Sequence, residues 1–170
     1  MNKTLKHIAV ILILSTLLGF IRFYFLNDDE FTIIKKVRIL NEAKVETNKL
    51  GIKKYPIPDV MTEPMIANLD FIKYYFDSNL ATIIDARDVD EFNTKHIEGA
   101  INIPYDYYDD YADEISSLKY NDIYIIYCSG GECSLSIDLA DLLFTEKGFE
   151  NIFVFEGGLP EWENAGFPIE

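Results

Sequence analysis

From about residue 63 onward, short apolar runs of strand length alternate with segments whose apolar residues recur at helical spacing. Residues 81–84 and 123–127 are such runs, whereas residues 89–96 and 134–147 have the spacing of helices. Strands that are apolar on both faces belong to a parallel sheet that helices cover on both sides. The pattern therefore predicts an α/β protein with a largely parallel sheet.

The run at 123–127 ends at Cys128, and the residues after it favour a reactive thiol. In a parallel α/β sheet, ligands bind beyond the carboxyl ends of the strands. Gly130 and Gly131 allow the chain to curl so that backbone N–H groups point toward the sulfur, and the helix that begins near Ser134 adds the positive end of its dipole. Both effects favour a thiolate, the reactive form of cysteine. Cys128 is therefore the candidate nucleophile, and an inert cysteine packed at the end of a core strand is the alternative.

Composition excludes several kinds of site. The formal net charge of −14 argues against nucleic acid, because binding to phosphates needs clustered lysine and arginine. The two cysteines, Cys128 and Cys133, are too close in sequence to make a disulfide framework. Both histidines, His7 and His96, lie far from them, so a zinc site is not supported. We expect no metal and no other cofactor.

The N-terminal segment contains an almost wholly apolar run from residue 8 to residue 25. About 18 helical residues span about 27 Å, close to the thickness of the hydrocarbon core of a bilayer. The run predicts one transmembrane helix that contacts the membrane through residues 8–25, within an anchor of residues 1–26. A cleaved signal peptide and a buried helix are the alternatives, and the bulky residues at 20–25 argue against cleavage.

The charges on either side of this run predict its orientation. Lys3 and Lys6 precede it, whereas the acidic residues 28–30 follow it. The positive-inside rule then keeps the N-terminus in the cytoplasm, so that a single-pass protein holds its domain on the extracytoplasmic side. Residues 27–62 are predicted to be a connector, because their composition is mixed and prolines interrupt it at 55–59.

Three motifs, in this order along the chain, resemble those of rhodanese domains. They are IIDAR at 83–87 with EF at 91–92 and HIEGAINIP at 96–104, then YC at 127–128 with its six-residue loop, and finally FEGG at 155–158 with Trp162 and GFP at 166–168. The resemblance covers residues 63–170. It implies a single rhodanese-like domain, after the transmembrane helix, with a central, mostly parallel five-stranded sheet that helices cover on both faces.

The resemblance also implies an activity. In rhodanese domains, the cysteine at the position of Cys128 accepts a sulfane sulfur as a persulfide and passes it to a nucleophile such as a thiol. We therefore expect a sulfurtransferase with Cys128 as a catalytic residue. Its expected partners are a small sulfur donor or a protein persulfide, and a thiol acceptor. The substrate-binding loop would comprise Ser129, Gly130, Gly131, Glu132 and Ser134.

Other signature positions are expected to support the fold rather than the reaction. They are Asp85, His96, Gly99, Gly157, Gly158 and Trp162. Arg87 belongs to the same signature and is expected to be structural, pairing with carboxylates such as Glu91. Direct contact between Arg87 and an anionic substrate is the alternative.

The loop departs from the family pattern in its charge. Family loops often have a basic residue just after the cysteine and another at the last loop position, where this chain has Ser129 and Cys133. Glu132 adds a negative charge. Because each charge-assisted hydrogen bond to a dianion is worth about 1.5–3 kcal/mol, we expect low activity with thiosulfate. A phosphatase is not expected, because Ser134 stands where related phosphatases have a closing arginine.

Cys133 suggests a second catalytic role. If the loop curls, its thiol approaches Cys128 and can resolve the persulfide, which releases sulfide and leaves a disulfide. The alternative is that Cys133 begins the helix and packs as a small apolar residue. Two other functions remain open: a dithiol–disulfide redox protein that uses the same pair, and a non-catalytic rhodanese-like interaction module. A deeply buried Cys128 would favour the module.

Overall fold

The computed structural model describes residues 3–25, 39–49, 51, 53–131 and 133–170. The chain divides into two compact units, Met1–Ile39 and Leu40–Glu170, and helix α1 of the first unit spans Lys3–Phe25. No helix among the described residues is both long and apolar enough to cross a bilayer, so the predicted transmembrane helix is not supported. Residues 26–38, where the predicted anchor ends and the connector begins, lie outside the described residues, as does Glu132.

The second unit is built on a parallel sheet. Its strands are β1 (Asn41–Glu42), β2 (Glu46–Thr47), β3 (Lys53–Lys54), β4 (Met65–Ile66), β5 (Thr82–Asp85), β6 (Ile101–Asn102), β7 (Ile123–Tyr127) and β8 (Asn151–Phe155). Strands β2 and β3 form a separate antiparallel pair, and the others form one sheet in the order β1-β4-β8-β7-β5-β6. Every pairing in this sheet is parallel, which confirms the predicted α/β class.

The main sheet has six strands, so the predicted number of five is wrong. The additional edge strand is β1, which falls in the predicted connector and pairs with β4. Leu40, just before it, is buried in the core. The sequence pattern misses β1 because its two residues are polar and exposed, so they lack the apolar alternation that marks a strand.

Helices cover the sheet on both faces. They are α2 (Leu69–Asp77), α3 (Val89–Thr94), α4 (Ala112–Ser117), α5 (Leu135–Asp141) and α6 (Gly158–Asn164), with a 3-10 segment at Tyr105–Tyr111 and a π turn at Leu142–Glu146. Neighbouring residues of β7 enter two different cores. Ile126 belongs to the core that contains Leu139 of α5, and Ile125 belongs to the core that contains Phe71 of α2 and Trp162 of α6. This two-sided burial explains why β7 is apolar along its length.

Three parallel strands end together at one edge of the sheet. Asp85 of β5 lies opposite Tyr127 of β7, and Tyr127 lies opposite Phe155 of β8. The segments that follow these residues contain Arg87, Cys128 and the glycine pair of the third motif. The three sequence motifs therefore meet at the carboxyl edge, where parallel sheets bind their ligands.

Residues 40–170 are expected to fold without the segment that precedes them, because both cores lie within this unit. The fragment should show one cooperative thermal transition by far-ultraviolet circular dichroism. A matched fragment of residues 63–170 lacks β1 and the buried side chains of Leu40 and Tyr55. We expect it to lose at least about 2 kcal/mol of unfolding free energy in urea. Aggregation of the longer fragment, or equal stability of the two, would contradict this expectation.

Candidate active site

Cys128 directly follows β7 and is almost fully buried, with 1% of its surface exposed. Its Sγ lies 3.4 Å from the backbone oxygen of Cys133 and 3.4 Å from Oγ of Ser136. Both cysteines are free thiols. The hydrogen-bond partners of the Cys128 sulfur thus include a carbonyl and a hydroxyl, whereas the sequence predicts a ring of backbone N–H groups.

Two glycines set the path of the loop after Cys128. Gly130 and Gly131 have φ angles of +74° and +64°, in the left-handed region that other residues rarely adopt. The Cys133 N–H donates to the Gly130 oxygen at 3.3 Å and closes the turn. The chain therefore curls as expected from the two glycines, and this curl brings Cys133 close to Cys128.

Gly158 of the third motif backs this loop. Its φ is +60°, and a Cβ at this position would lie 2.4 Å from the Cys128 oxygen and 2.6 Å from the Gly130 nitrogen. A Cβ on Gly130 would in turn lie 2.5 Å from the Gly157 oxygen. The Leu159 N–H donates to the Cys128 oxygen at 3.1 Å. The glycines of the two motifs therefore permit a direct contact between backbones that holds Cys128 in place.

Cys133 is half-buried, and its thiol is hydrogen-bonded with that of Cys128. Burial, followed by this hydrogen bond, raises the pKa of Cys133 to about 11, although hydrogen bonds with the backbone of Leu135 and Ser129 act in the opposite direction. The Cys133 thiol is therefore protonated at neutral pH and becomes a thiolate only in alkaline solution. The structure brings the two predicted catalytic thiols together, and the protonated Cys133 thiol is a poor nucleophile at neutral pH.

A buried carboxylate holds Arg87. Its Nε donates to Oδ1 of Asp85 at 3.0 Å, and its Nη2 donates to the Lys95 oxygen at 2.8 Å. Its Nη1 lies 3.7 Å from Oε1 of Glu91, the predicted partner. Burial lowers the pKa of Arg87, but the hydrogen bond and the charge of Asp85 outweigh burial and raise it. With its side chain 6% exposed among three acceptors, Arg87 fits the structural interpretation better than contact with a substrate anion.

A second carboxylate lies beside the loop. The Ser129 hydroxyl donates to Oε1 of Glu91 at 3.2 Å, and the Glu91 side chain is 45% exposed. The residue that follows Cys128 is therefore paired with a negative charge. Because like charges repel, a dianionic donor that approaches Ser129 meets an unfavourable field.

The remaining predicted residues support the surrounding structure. His96 exchanges two backbone hydrogen bonds with the last residue of the chain, and Trp162 donates from Nε1 to a backbone oxygen of the GFP motif at 2.8 Å. Gly99 has a φ of +71°. Ser134, predicted to belong to the binding loop, donates its hydroxyl to Asp138 at 2.8 Å. Ser134 is thus bonded within the start of α5, whereas Ser136 reaches Cys128.

Sequence reasoning missed Ser136. Its side chain is 1% exposed, and its hydroxyl contacts the Cys128 sulfur. A signal was present in the pattern: Ser136 shares the buried side of its helical segment with Leu139, Ala140 and Leu143, at spacings of three, four and seven residues. A polar residue on an otherwise apolar helix face needs a buried partner.

The chain is similar to a known protein family and to several solved structures. The family model described as rhodanese-like domain matches residues 70–165. Among solved structures, the rhodanese-like domain of an Anabaena protein is 31% identical, with a TM-score of 0.52 over 64% of this chain and 80% of that one. A Bacillus halodurans protein shares the fold, with a TM-score of 0.54 and 22% identity over 62% of this chain and 75% of that one.

Curated relatives match about half of the chain. Thiosulfate sulfurtransferase GlpE of Actinobacillus succinogenes is 28% identical over 90 residues, which is 53% of this chain and 76% of that protein. An HTH-type transcriptional regulator of Mycobacterium tuberculosis is 33% identical over 89 residues, which is 52% of this chain and 37% of the regulator. The matched segment therefore covers little more than a third of the regulator and occurs in proteins of different names and lengths.

Gly158→Ala is expected to destabilise the domain more than Gly166→Ala. Both glycines have positive φ, at +60° and +75°, but a Cβ on Gly166 meets no atom within 4 Å, whereas one on Gly158 meets the Cys128 and Gly130 backbone. Strain at positive φ costs about 1–3 kcal/mol in either variant, and the clash adds to it only at residue 158. Urea unfolding of the two variants measures the difference. Equal losses would show that the backbone contact does not constrain the loop.

Proposed function

Since the rhodanese-like domain model matches residues 70–165, more than half of the chain, the chain belongs to the rhodanese-like family, and we propose that it is a sulfurtransferase that forms a persulfide on Cys128. The observation that supports this most is the position of Cys128. It lies at the carboxyl edge of the sheet, in a loop curled by two glycines, with a second thiol in contact with it. This arrangement suits a sulfur nucleophile that exchanges sulfur with another thiol.

In the proposed first step, the Cys128 thiolate attacks the outer sulfur of a donor persulfide, R–S–SH. A bond forms between the Cys128 sulfur and that outer sulfur, the donor S–S bond breaks, and R–S⁻ leaves. Cys128 then carries the persulfide. In transfer to an acceptor, an external thiolate attacks the outer sulfur and the Cys128 thiolate is regenerated.

Cys133 offers a second way to discharge the persulfide. After the persulfide has lost its proton to solvent, the Cys133 thiol sulfur attacks the inner sulfur of Cys128–S–S⁻ and a disulfide forms between the two cysteines. The S–S bond of the persulfide breaks, and the outer sulfur takes up the Cys133 proton and leaves as HS⁻. Two external thiols then reduce the disulfide and restore both cysteines. The contact between the two thiols supports this proposal.

The charge around the loop supports a donor of low charge. Relatives bear the name thiosulfate sulfurtransferase, which describes those proteins. In this chain Ser129 donates to Glu91, and Cys133 occupies the last loop position. We therefore propose a persulfide donor, small or protein-bound, rather than thiosulfate.

The burial of Cys128 favours a second candidate function. With 1% of its surface exposed, the thiol meets a donor only if the loop opens. A rhodanese-like interaction module without catalysis needs no such opening. A dithiol–disulfide redox protein is the third candidate, because the two thiols already touch.

Cys128→Ser is expected to abolish sulfur loading, because the attacking sulfur is lost. Cys133→Ser should load sulfur but retain it longer than wild type, because the internal thiol that discharges the persulfide is absent. Mass spectrometry of alkylated protein after exposure to glutathione persulfide measures both effects.

Each other outcome of that measurement identifies a different function. Loading of Cys128→Ser would place the nucleophile elsewhere, and wild-type discharge by Cys133→Ser would make Cys133 a packing residue. A disulfide without any sulfur loading would favour the redox protein. A folded wild type that loads sulfur from no donor would favour the interaction module.

The double variant Ser129→Arg, Cys133→Arg is expected to raise kcat/KM for thiosulfate at least about tenfold, because each arginine can supply a charge-assisted hydrogen bond to the dianion. The matched control is Ser129→Gln with Cys133→Gln, which changes size and removes the second thiol without adding charge. Thiosulfate:cyanide assays compare the two double variants with wild type. High wild-type activity, unimproved by arginine, would overturn the electrostatic argument.

The membrane contact through residues 8–25 and the extracytoplasmic location stay predictions from the sequence. The proposed reaction involves residues of Leu40–Glu170 and does not depend on the membrane contact or on the location.

A further inference from the structure

The Cys128 sulfur lies between two oxygen atoms of different chemistry. The backbone oxygen of Cys133 and the hydroxyl oxygen of Ser136 are both 3.4 Å from it. A carbonyl oxygen can only accept a hydrogen bond, whereas a hydroxyl can donate or accept. The protonated thiol therefore donates to the carbonyl, and the Ser136 hydroxyl is free to donate to the sulfur.

Loss of the thiol proton affects the two contacts in opposite ways. A thiolate has no proton to donate, so the Cys133 carbonyl then faces a negative charge and favours the protonated form. The Ser136 hydroxyl keeps its proton and donates to the anionic sulfur, which makes that bond stronger. Of these two contacts, only that with Ser136 stabilises the thiolate.

The surroundings of Ser136 make this bond effective. Its side chain is 1% exposed, on the face of α5 that buries Leu139 and Ala140. Water therefore does not compete for the hydroxyl, and the low local dielectric strengthens its bond to a charge. Because α5 packs firmly into the core, the hydroxyl has a fixed position relative to the sulfur.

We propose that Ser136 is a positioning residue that donates its hydroxyl to the deprotonated sulfur of Cys128 and holds that sulfur in place for reaction. Loss of the Cys128 proton does not depend on the function proposed above. Only the use of the deprotonated sulfur in persulfide formation rests on that function.

Other titratable groups surround this pair and are kept constant in the test. The Cys133 thiol contacts Cys128 within the loop. Glu91 of α3 is bonded to Ser129, and Asp138 of α5 is bonded to Ser134. The Asp85–Arg87 ion pair lies at the end of the neighbouring strand β5. The test therefore uses the full chain with Cys133→Ser throughout, which leaves one thiol and all the carboxylates.

The experiment follows the rate of iodoacetamide alkylation from mildly acidic to alkaline pH. Adding Ser136→Ala should move the midpoint of the profile upward by about one pH unit, so that the rate near neutral pH falls about tenfold. Ser136→Thr, which keeps a hydroxyl, should restore the midpoint, whereas Ser136→Val, which matches threonine in shape, should not. Ser117→Ala removes a hydroxyl from the exposed side of α4 and should change nothing.

Two outcomes would overturn the proposal. One is an unchanged midpoint in both the alanine and the valine variants. The other is a rate that falls equally at every pH, because that indicates altered access rather than a lost donor. If the alanine variant does not fold, as judged by circular dichroism, the threonine and valine pair decides.

Sulfur loading from glutathione persulfide is measured on the same proteins. A shifted midpoint with no loading in any of them would leave Ser136 as the thiolate donor and reject the proposed sulfurtransferase.

Discussion

The structure around Cys128 depends on a contact between two backbones that leaves no room for side chains. Strands β7 and β8 run side by side to Tyr127 and Phe155, and neighbouring strands lie about 4.8 Å apart, so the segments that follow are forced together. Because glycine has no Cβ, it fits at positions 130 and 158, where the two backbones lie close together. The sheet register thus fixes the position of Cys128, and the second and third motifs form one structural element although they are far apart in sequence.

A buried ion pair secures the neighbouring part of the same edge. Asp85 is fully buried, and leaving such a charge unpaired typically costs about 3–5 kcal/mol. Arg87 compensates the charge of Asp85. Burial, and then the charge of Asp85, raise the pKa of Tyr127. The Tyr127 hydroxyl accepts a hydrogen bond from the Ile97 N–H at 3.0 Å. The Arg87 guanidinium therefore stabilises the fold. The carboxylate of Glu91, which also lies 3.7 Å from Arg87, accepts the Ser129 hydroxyl beside the loop, and this supports the proposal of a donor of low charge.

Sequence pattern predicts the elements whose apolar residues are continuous or periodic, such as β5, β7, α3 and α5. It also predicts the curl after Cys128, because two adjacent glycines strongly favour it. It does not predict β1, whose two residues are polar and form a strand only by pairing with β4. It also misses the contact with Ser136, because the distance from Cys128 to α5 depends on how the loop closes. The pairing of Arg87 with Asp85, in addition to the predicted Glu91, depends on side-chain conformations that a linear pattern does not encode.

The two thiols differ because their surroundings differ, and the difference suits a division of roles. With a pKa of about 11, Cys133 is protonated at neutral pH and does not compete with Cys128 for a sulfur donor. The same proton has a use once Cys128 holds an anionic persulfide, because the departing outer sulfur needs a proton to leave as HS⁻. In the proposed reaction, attack by Cys133 on the inner sulfur would supply that proton and form the disulfide in the same step. The burial that makes Cys133 a poor first nucleophile therefore leaves it suited to act second.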